Sequence, residues 1–338
     1  MTCTSCFPHH LRFELLFEGV DNKAMIPLLL QHMKRQNGSY DHRENVVIVE
    51  EAFILDLLDF CGEHMNSAYI YYRLGKQEWQ ELHTISSVLE ANWIDQLIVE
   101  KRITPYFQPI VDGEQTLFAH EVLSRSFRED GSLIPSGELF TSAKKRNRLF
   151  ALDKLCRLTA VAHSPVLRNQ KVFINFLPTS IYSPEHCLQT TLELAHRMQA
   201  NPATFVFEVV ESEKVDDLEH LKTILRFYRQ HGFEYALDDV GAGYSTIELL
   251  RELQPTYMKL DMKYVRGISD NPQHQEMAAT MLEAAQEIGS IPLAEGIEEE
   301  RDFLFLKRLG FQLFQGFLFG KPAPSPIGRT TPLTEKQI

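Results

Sequence analysis

No apolar run in the chain approaches the roughly 18 residues that a membrane-spanning helix needs, and no basic segment followed by an apolar stretch of secretory type opens it. A soluble, cytoplasmic protein with no membrane span is the expectation. Cysteine is scarce: Cys3, Cys6, Cys61, Cys156 and Cys187 are odd in number and scattered, which fits a reducing compartment better than a disulfide framework. Only Cys3 and Cys6 are spaced like ligands, with His9 and His10 close behind. Such a pair can bind zinc, but a CxxC at a chain end without a second pair more often does nothing. Positive charge is also in deficit, with 34 Lys+Arg against 46 Asp+Glu and a net charge of -12. That excludes a broad basic face for polymeric nucleic acid, because phosphate neutralisation needs clustered Lys and Arg. It leaves open a small phosphorylated ligand held through a metal. The first hundred residues also lack a Gly-rich phosphate loop and any flavin or haem signature.

What is present is an ordinary globular composition, 44% hydrophobic, over a length that suits two domains or one large barrel with an appendage. Apolar periodicity predicts a small α/β unit over residues 1–77, with strands at 11–17, 45–50 and 68–73 and helices at 22–36 and 52–64. Over 78–102, Leu82, Ile85, Leu89, Trp93, Leu97 and Ile98 recur at helical spacing and predict a connecting helix that stops before Thr104-Pro105. Beyond it, predicted strands at 106–111, 117–123, 172–176, 205–209, 235–237, 257–260, 292–294 and 313–314 alternate with helices at 152–163, 187–199, 217–231, 272–288 and 299–309. About eight strands in such alternation imply parallel pairing and a closed (β/α)8 barrel of TIM type over 103–324. A loosely ordered tail is expected over 325–338.

Polar residues interrupt these strands near their ends. Glu121 lies in LFAHEVLSR, Asn175 in VFINFLP, Glu208 in FVFEVVE, Asp238 and Asp239 in YALDDVGAGYS, Lys259 and Asp261 in YMKLD, Glu295 in IPLAEG and Gln315 in LFQG. In such a barrel the strand ends converge on one face, so five carboxylates, Glu121, Glu208, Asp238, Asp239 and Glu295, would crowd one mouth with a single Lys. They need countercharge. Carboxylates with an Asn carbonyl form a hard oxygen set suited to Mg²⁺ or Mn²⁺, and adjacent Asp238 and Asp239 can serve two ions. A single acid after a strand is more often a helix cap; the coincidence of so many is what favours metal.

The stretch from about 103 to 324 resembles the EAL domain of bacterial cyclic di-GMP phosphodiesterases. The motifs run in family order: YFQPIV at 106–111, EVLSR for the name-giving EALLR, INFLP, FEVVE, DDVGAGYST for DDFGTGYSS, MKLD, AEGIE and QGFLFGKP. Val122, Val240 and Ala242 are mild departures that leave the acids in place. The resemblance implies that Glu121, Asn175, Glu208 and Asp238 bind one metal and that Asp238 bridges to a second held by Asp239 and Glu295. It implies catalytic roles for Glu121, Glu295 and Lys259, with Lys259 contacting the attacking water as proton acceptor or permanent cation. Gln108, Leu123, Arg125, Asp261 and Gln315 would hold the dinucleotide. Glu211 and Glu298 would couple the 240–246 loop to a homodimer contact. The implied activity is two-metal hydrolysis of cyclic di-GMP to linear 5′-pGpG, with the first domain in a regulatory role and its input unknown. The alternatives are a silent cyclic di-GMP receptor signalling through that domain, and a barrel acting on another phosphodiester.

Overall fold

Strand β1 (Arg12–Phe17) alternates between open and buried positions, so Phe13, Leu15 and Phe17 point to one face. That face is covered by α1 (Val20–Arg35), through Ile26, Leu29 and Met33, and by α2 (Ile54–His64), through Ile54, Leu57 and Cys61. With β2 (Tyr40–Arg43), β3 (Val46–Glu50), β4 (Ile70–Leu74) and β5 (Gln80–Glu81), β1 forms a five-stranded sheet in the order β2-β3-β1-β4-β5, every neighbouring pair antiparallel. The sequence pattern misses β2, whose YDHR is polar because it lies at the sheet edge.

The computed structural model describes residues 11–36, 38–168, 170–181, 183–209, 218–241 and 246–328. Cys3, Cys6, His9, His10, Glu211 and most of the predicted tail lie outside the described residues. Among the described residues, no helix is long and apolar enough to cross a membrane. The chain divides into two units, the first holding described residues of 1–102 together with 134–152, the second those of 103–133 and 153–328.

The single helix expected over 78–102 is not formed. In its place stand β5, a 3-10 turn at Leu82–Thr84, α3 (Ser86–Glu90) and α4 (Trp93–Val99), with Ala91 and Asn92 between the helices. Leu82, Ile85 and Val88 satisfy the apolar stripe by joining the first unit's core, which short turns do as well as a continuous helix. The boundary also differs from one at 103. The segment that contains α5 (Ser136–Lys145) folds with the first unit, anchored by Arg146, which is fully buried. Its guanidinium donates to Glu51 (2.6 and 3.0 Å), to Asp95 and to the Val88 carbonyl (3.2 Å), while Arg148 donates to Asp95 (2.6 Å). A buried guanidinium needs partners of this kind.

The second unit is a closed eight-stranded barrel. β6 (Thr104–Asp112) and β7 (Leu117–Phe127) form a hairpin, with the Asp112 carboxylate accepting from Glu114 N (2.9 Å) and Thr116 N (2.8 Å) in the turn. So short a link forces antiparallel pairing, and β6 therefore opposes its other neighbour as well, a correction to all-parallel strands. A short β8 (Leu133–Ile134) pairs at the β7 side, and α6 (Leu149–His163) leads to β9 (Lys171–Phe176). Then follow α7 (Pro184–Cys187), α8 (Gln189–Arg197), β10 (Phe205–Val209), α9 (Leu218–Gln230), β11 (Glu234–Val240), α10 (Ile247–Leu253), β12 (Tyr257–Leu260), α11 (Met262–Val265), α12 (Pro272–Glu287), β13 (Ile291–Ala294), α13 (Glu300–Leu309) and β14 (Leu313–Gln315). From β7 through β9 to β14 the pairing is parallel, and β14 closes on β6.

One side chain from each barrel strand fills the lower interior: Ile110, Ala119, Phe173, Val206, Ala236, Tyr257, Leu293 and Leu313 form one buried cluster. This is a packed floor.

Candidate active site at the barrel mouth

Side chains two apart on a strand share a face. Two residues beyond the apolar floor, each parallel strand therefore presents its next inward side chain: Glu121, Asn175, Glu208, Asp238, Lys259, Glu295 and Gln315. On β6, which runs the other way, the equivalent step goes backward from Ile110 to Gln108, which pairs with Glu121 in register. All eight positions are polar. The ring thus holds four carboxylates (Glu121, Glu208, Asp238, Glu295) against one ammonium (Lys259).

Lys259 is the hub, 1% exposed, with its Nζ 2.5 Å from Glu208, 2.7 Å from Glu295 and 2.9 Å from Asp238. Glu121 is engaged otherwise: Asn175 Nδ2 donates to one oxygen and Gln315 Nε2 to the other, both at 2.7 Å. Asp239 adds a fifth carboxylate. Strict alternation would turn it to the far face, but a register shift between Leu237 and Val240 and a left-handed φ of 50° at Asp239 interrupt β11. Oxygens of Asp238, Asp239 and Glu295 consequently lie within 4.8 Å of one another.

Unit charges 4 Å apart interact by roughly 4 kcal/mol at an effective dielectric of 20, so one ammonium cannot neutralise this cluster. The acids respond. Burial and then Glu121 push Glu208 well above the usual carboxylate range, and burial and then Asp238 do the same to Glu295. Burial, Asp238 and Asp261 raise Asp239 to about 6. Burial also disfavours ionised Asp238, but Lys259 and hydrogen bonds outweigh it and hold that carboxyl below its usual value. Burial alone would favour the neutral amine of Lys259; Asp238, Glu208 and Glu295 reverse that and keep it protonated.

A pH dependence follows. Acids whose folded pKa is raised bind more protons in the folded chain, so their contribution favours folding at low pH and declines as pH rises. For Asp239 the window runs from the unfolded value near 3.9 to about 6. Metal-free protein is expected to melt at a lower temperature at pH 7.5 than at pH 5.5, and a divalent cation should restore the difference; scanning calorimetry with and without Mg²⁺ checks both.

Whether a cation fits is decided by the donor set. Glu208 Oε2 and Gln315 Oε1 are buried without a hydrogen-bond donor, and Glu208 Oε1 and Glu295 Oε1 share the single ammonium of Lys259. Buried acceptors in that state call for a partner, and all are hard oxygens suited to a divalent ion. No Cys or His sulfur or nitrogen belongs to the ring.

Above the ring, Leu123 and Arg125 continue β7 on the same face, both half-buried. Arg125 donates to Ser124 O (3.0 Å) and its Cζ lies 5.8 Å from the Tyr106 ring centre; burial lowers its pKa despite Glu121 nearby. Gln108 Nε2 is 3.5 Å from Gly320 O. Asp261 caps α11 by accepting from Lys263 N (2.6 Å), close enough to Asp239 to affect its ionisation. Glu298 is exposed and paired with Arg266 at 2.6 Å. Sequence reasoning missed Tyr106, although it stands one alternation before Gln108. It also missed Asp153, a lone acid in the apolar run LFALDKLC of α6.

A family sequence model described as EAL domain matches residues 91–322. Among curated proteins, the Probable cyclic di-GMP phosphodiesterase PdeG of Escherichia coli (strain K12) is 30% identical over 231 residues, covering 65% of this chain. The chain spans 44% of that relative's length and 34% of the length of Signaling protein YkoW of Bacillus subtilis (strain 168). The structure of a standalone versatile EAL protein from Vibrio cholerae O395, in c-di-GMP bound form, is 33% identical with a TM-score of 0.61, covering 68% of this chain and 95% of that one. Klebsiella pneumoniae BlrP1 covers 93% of this chain and 96% of its own at a TM-score of 0.59 and 19% identity, a likeness of fold.

Proposed function

Because the chain belongs to the EAL domain family, with more than half its length matched, we propose that it is a phosphodiesterase that hydrolyses cyclic di-GMP to linear 5′-pGpG. The observation that carries this reading is the polar ring, four carboxylates against one ammonium, with Glu208 Oε2 and Gln315 Oε1 buried without a donor. Glu121, Asn175, Glu208 and Asp238 would hold one Mg²⁺ or Mn²⁺, and Asp238, Asp239 and Glu295 a second. When bound, such a pair acidifies a shared water and offsets charge on the phosphoryl oxygens as the 3′ oxygen leaves.

The chain's own residues do the rest. Lys259 contacts the attacking water, either as a permanent cation that orients it or as the acceptor of its proton. Arg125 presents a planar guanidinium suited to a bidentate phosphate contact, and Gln108, Leu123, Asp261 and Gln315 complete the cradle for the dinucleotide. The barrel floor beneath the ring closes the site from below and excludes water on that side.

The first unit would act as regulator. In support, residues 134–152, drawn from inside the family-matched stretch, fold with it, so the chain passes between the units three times. A homodimer is proposed on the likeness of DDVGAGYST to the family's coupling loop, and light scattering tests it. For the activity itself, the full chain is incubated with cyclic di-GMP and Mg²⁺ or Mn²⁺ and the products separated by chromatography. Linear pGpG is the expected product; tight binding with the cyclic form left intact would favour a silent receptor.

A further inference from the structure

Resting on that reading of the metal ligands, we infer that Asp153 is a positioning residue for Asn175 and thereby sets the affinity of the site for its metal. Asp153 lies in α6, 3% exposed, on the buried face that also carries Cys156, Arg157 and Ala160. A carboxylate placed there is costly unless its oxygens are hydrogen-bonded. Both are. Oδ1 accepts from the backbone N of Leu177 at 2.9 Å, and Oδ2 accepts from Ser180 Oγ at 2.7 Å. Arg157 Nη2, one helical turn on, lies 3.6 Å from Oδ2 and supplies countercharge.

The place of these two donors gives the contact its consequence. β9 ends at Phe176, so Leu177 is the first residue past the sheet, and Ser180 closes the 3-10 turn Pro178–Ser180 that follows. One carboxylate thus pins both ends of the turn where β9 leaves the barrel. Asn175 stands two residues before Leu177, with its amide nitrogen on Glu121 at 2.7 Å. A single residue, Phe176, separates the pinned amide of Leu177 from Asn175, so freeing Leu177 N lets the end of β9 relax and moves the Asn175 oxygen relative to Glu121 and Glu208. No step of the proposed chemistry touches Asp153. Its influence passes through Asn175 alone, as outer partners of metal ligands act elsewhere.

The test uses the full chain and Mn²⁺ as the probe, with affinity measured by calorimetry and by loss of the free-ion electron paramagnetic resonance signal. Asp153→Ala is expected to weaken Mn²⁺ binding about 10- to 100-fold. In turnover, the half-saturating Mn²⁺ concentration should rise by the same factor while kcat at saturating metal stays near that of wild type. Asp153→Asn, which keeps an acceptor for Leu177 N, should recover most of the affinity. Ser180→Ala, which leaves both Leu177 N and Arg157 their partner, is expected to weaken binding by a few-fold and decides the matter if Asp153→Ala does not fold. Folded variants that bind Mn²⁺ as wild type does would overturn the inference, even if they melt earlier. A wild-type chain that binds no Mn²⁺ overturns the reading of the site and this inference with it, which separates the two failures.

Discussion

Replacing Glu208 by Gln is expected to abolish turnover, by about 10³-fold or more given the size of single electrostatic contributions at such sites, while leaving the metal-free protein no less stable than wild type. The two halves come from one fact. Glu208 is fully buried, its Oε2 lacks a hydrogen-bond donor, its Oε1 shares Lys259 with Asp238 and Glu295, and burial together with Glu121 disfavours its charge. A ligand oxygen of that kind is retained for what it binds, and in the metal-free chain it opposes folding. The amide has the same shape and removes the charge, and Lys259 keeps Asp238 and Glu295 as partners. Turnover assays and thermal unfolding of wild type and Glu208→Gln, both with and without metal, check this. A variant that unfolds early without metal would show that Glu208 stabilises the barrel.

The second large effect concerns Gly316, one residue past the ring member Gln315. A Cβ at Gly316 would lie 2.0 Å from the Ile297 carbonyl oxygen and 2.3 Å from its nitrogen. Two backbone segments cross there, with Ile297 N donating to Gln315 O (3.0 Å) and Leu318 N donating to Ile297 O (3.1 Å). Neither contact is a flexible side chain that could swing away. Gly316→Ala must therefore separate the end of β14 from the turn after Glu295, disturbing two ring positions at once. The expected cost is about 3 kcal/mol or more, and the barrel's thermal midpoint should fall by about 10 °C. Calorimetry gives the midpoint, and turnover below the transition should be lost with it. A wild-type midpoint would mean the crossing is wider than described.

Which features could be read from the sequence follows from how local their signals are. Glu121, Asn175, Glu208, Asp238, Lys259, Glu295 and Gln315 each break an apolar strand, so each is visible within its own segment. That they form one ring two residues above an apolar floor is a consequence of strand alternation and barrel closure together. Gln108 joins the ring only because β6 runs backward, which its short hairpin already implied. Features carried by contacts distant in sequence gave no local signal. Arg146 reads as one more basic residue near a helix end, yet it is fully buried against Glu51 and Asp95 and ties residues 134–152 to the first unit. Apolar spacing over 78–102 predicts one helix where two short ones form, because it is blind to where a stripe finds its core. The bulge that brings Asp239 to the side of Asp238 shows only in the backbone.

The claim that joins these observations is that the acidic ring exists to bind divalent ions that act on a phosphodiester. Its most direct measurement is a titration of Mn²⁺ into chelator-treated full chain in the presence of cyclic di-GMP, with metal uptake and linear product followed in the same samples. The expected result is no product before metal is added, uptake of two ions per chain, and product appearing as they bind. Product formed without metal, or metal bound at the ring of Glu121, Glu208, Asp238 and Glu295 with the cyclic dinucleotide left intact, would contradict it.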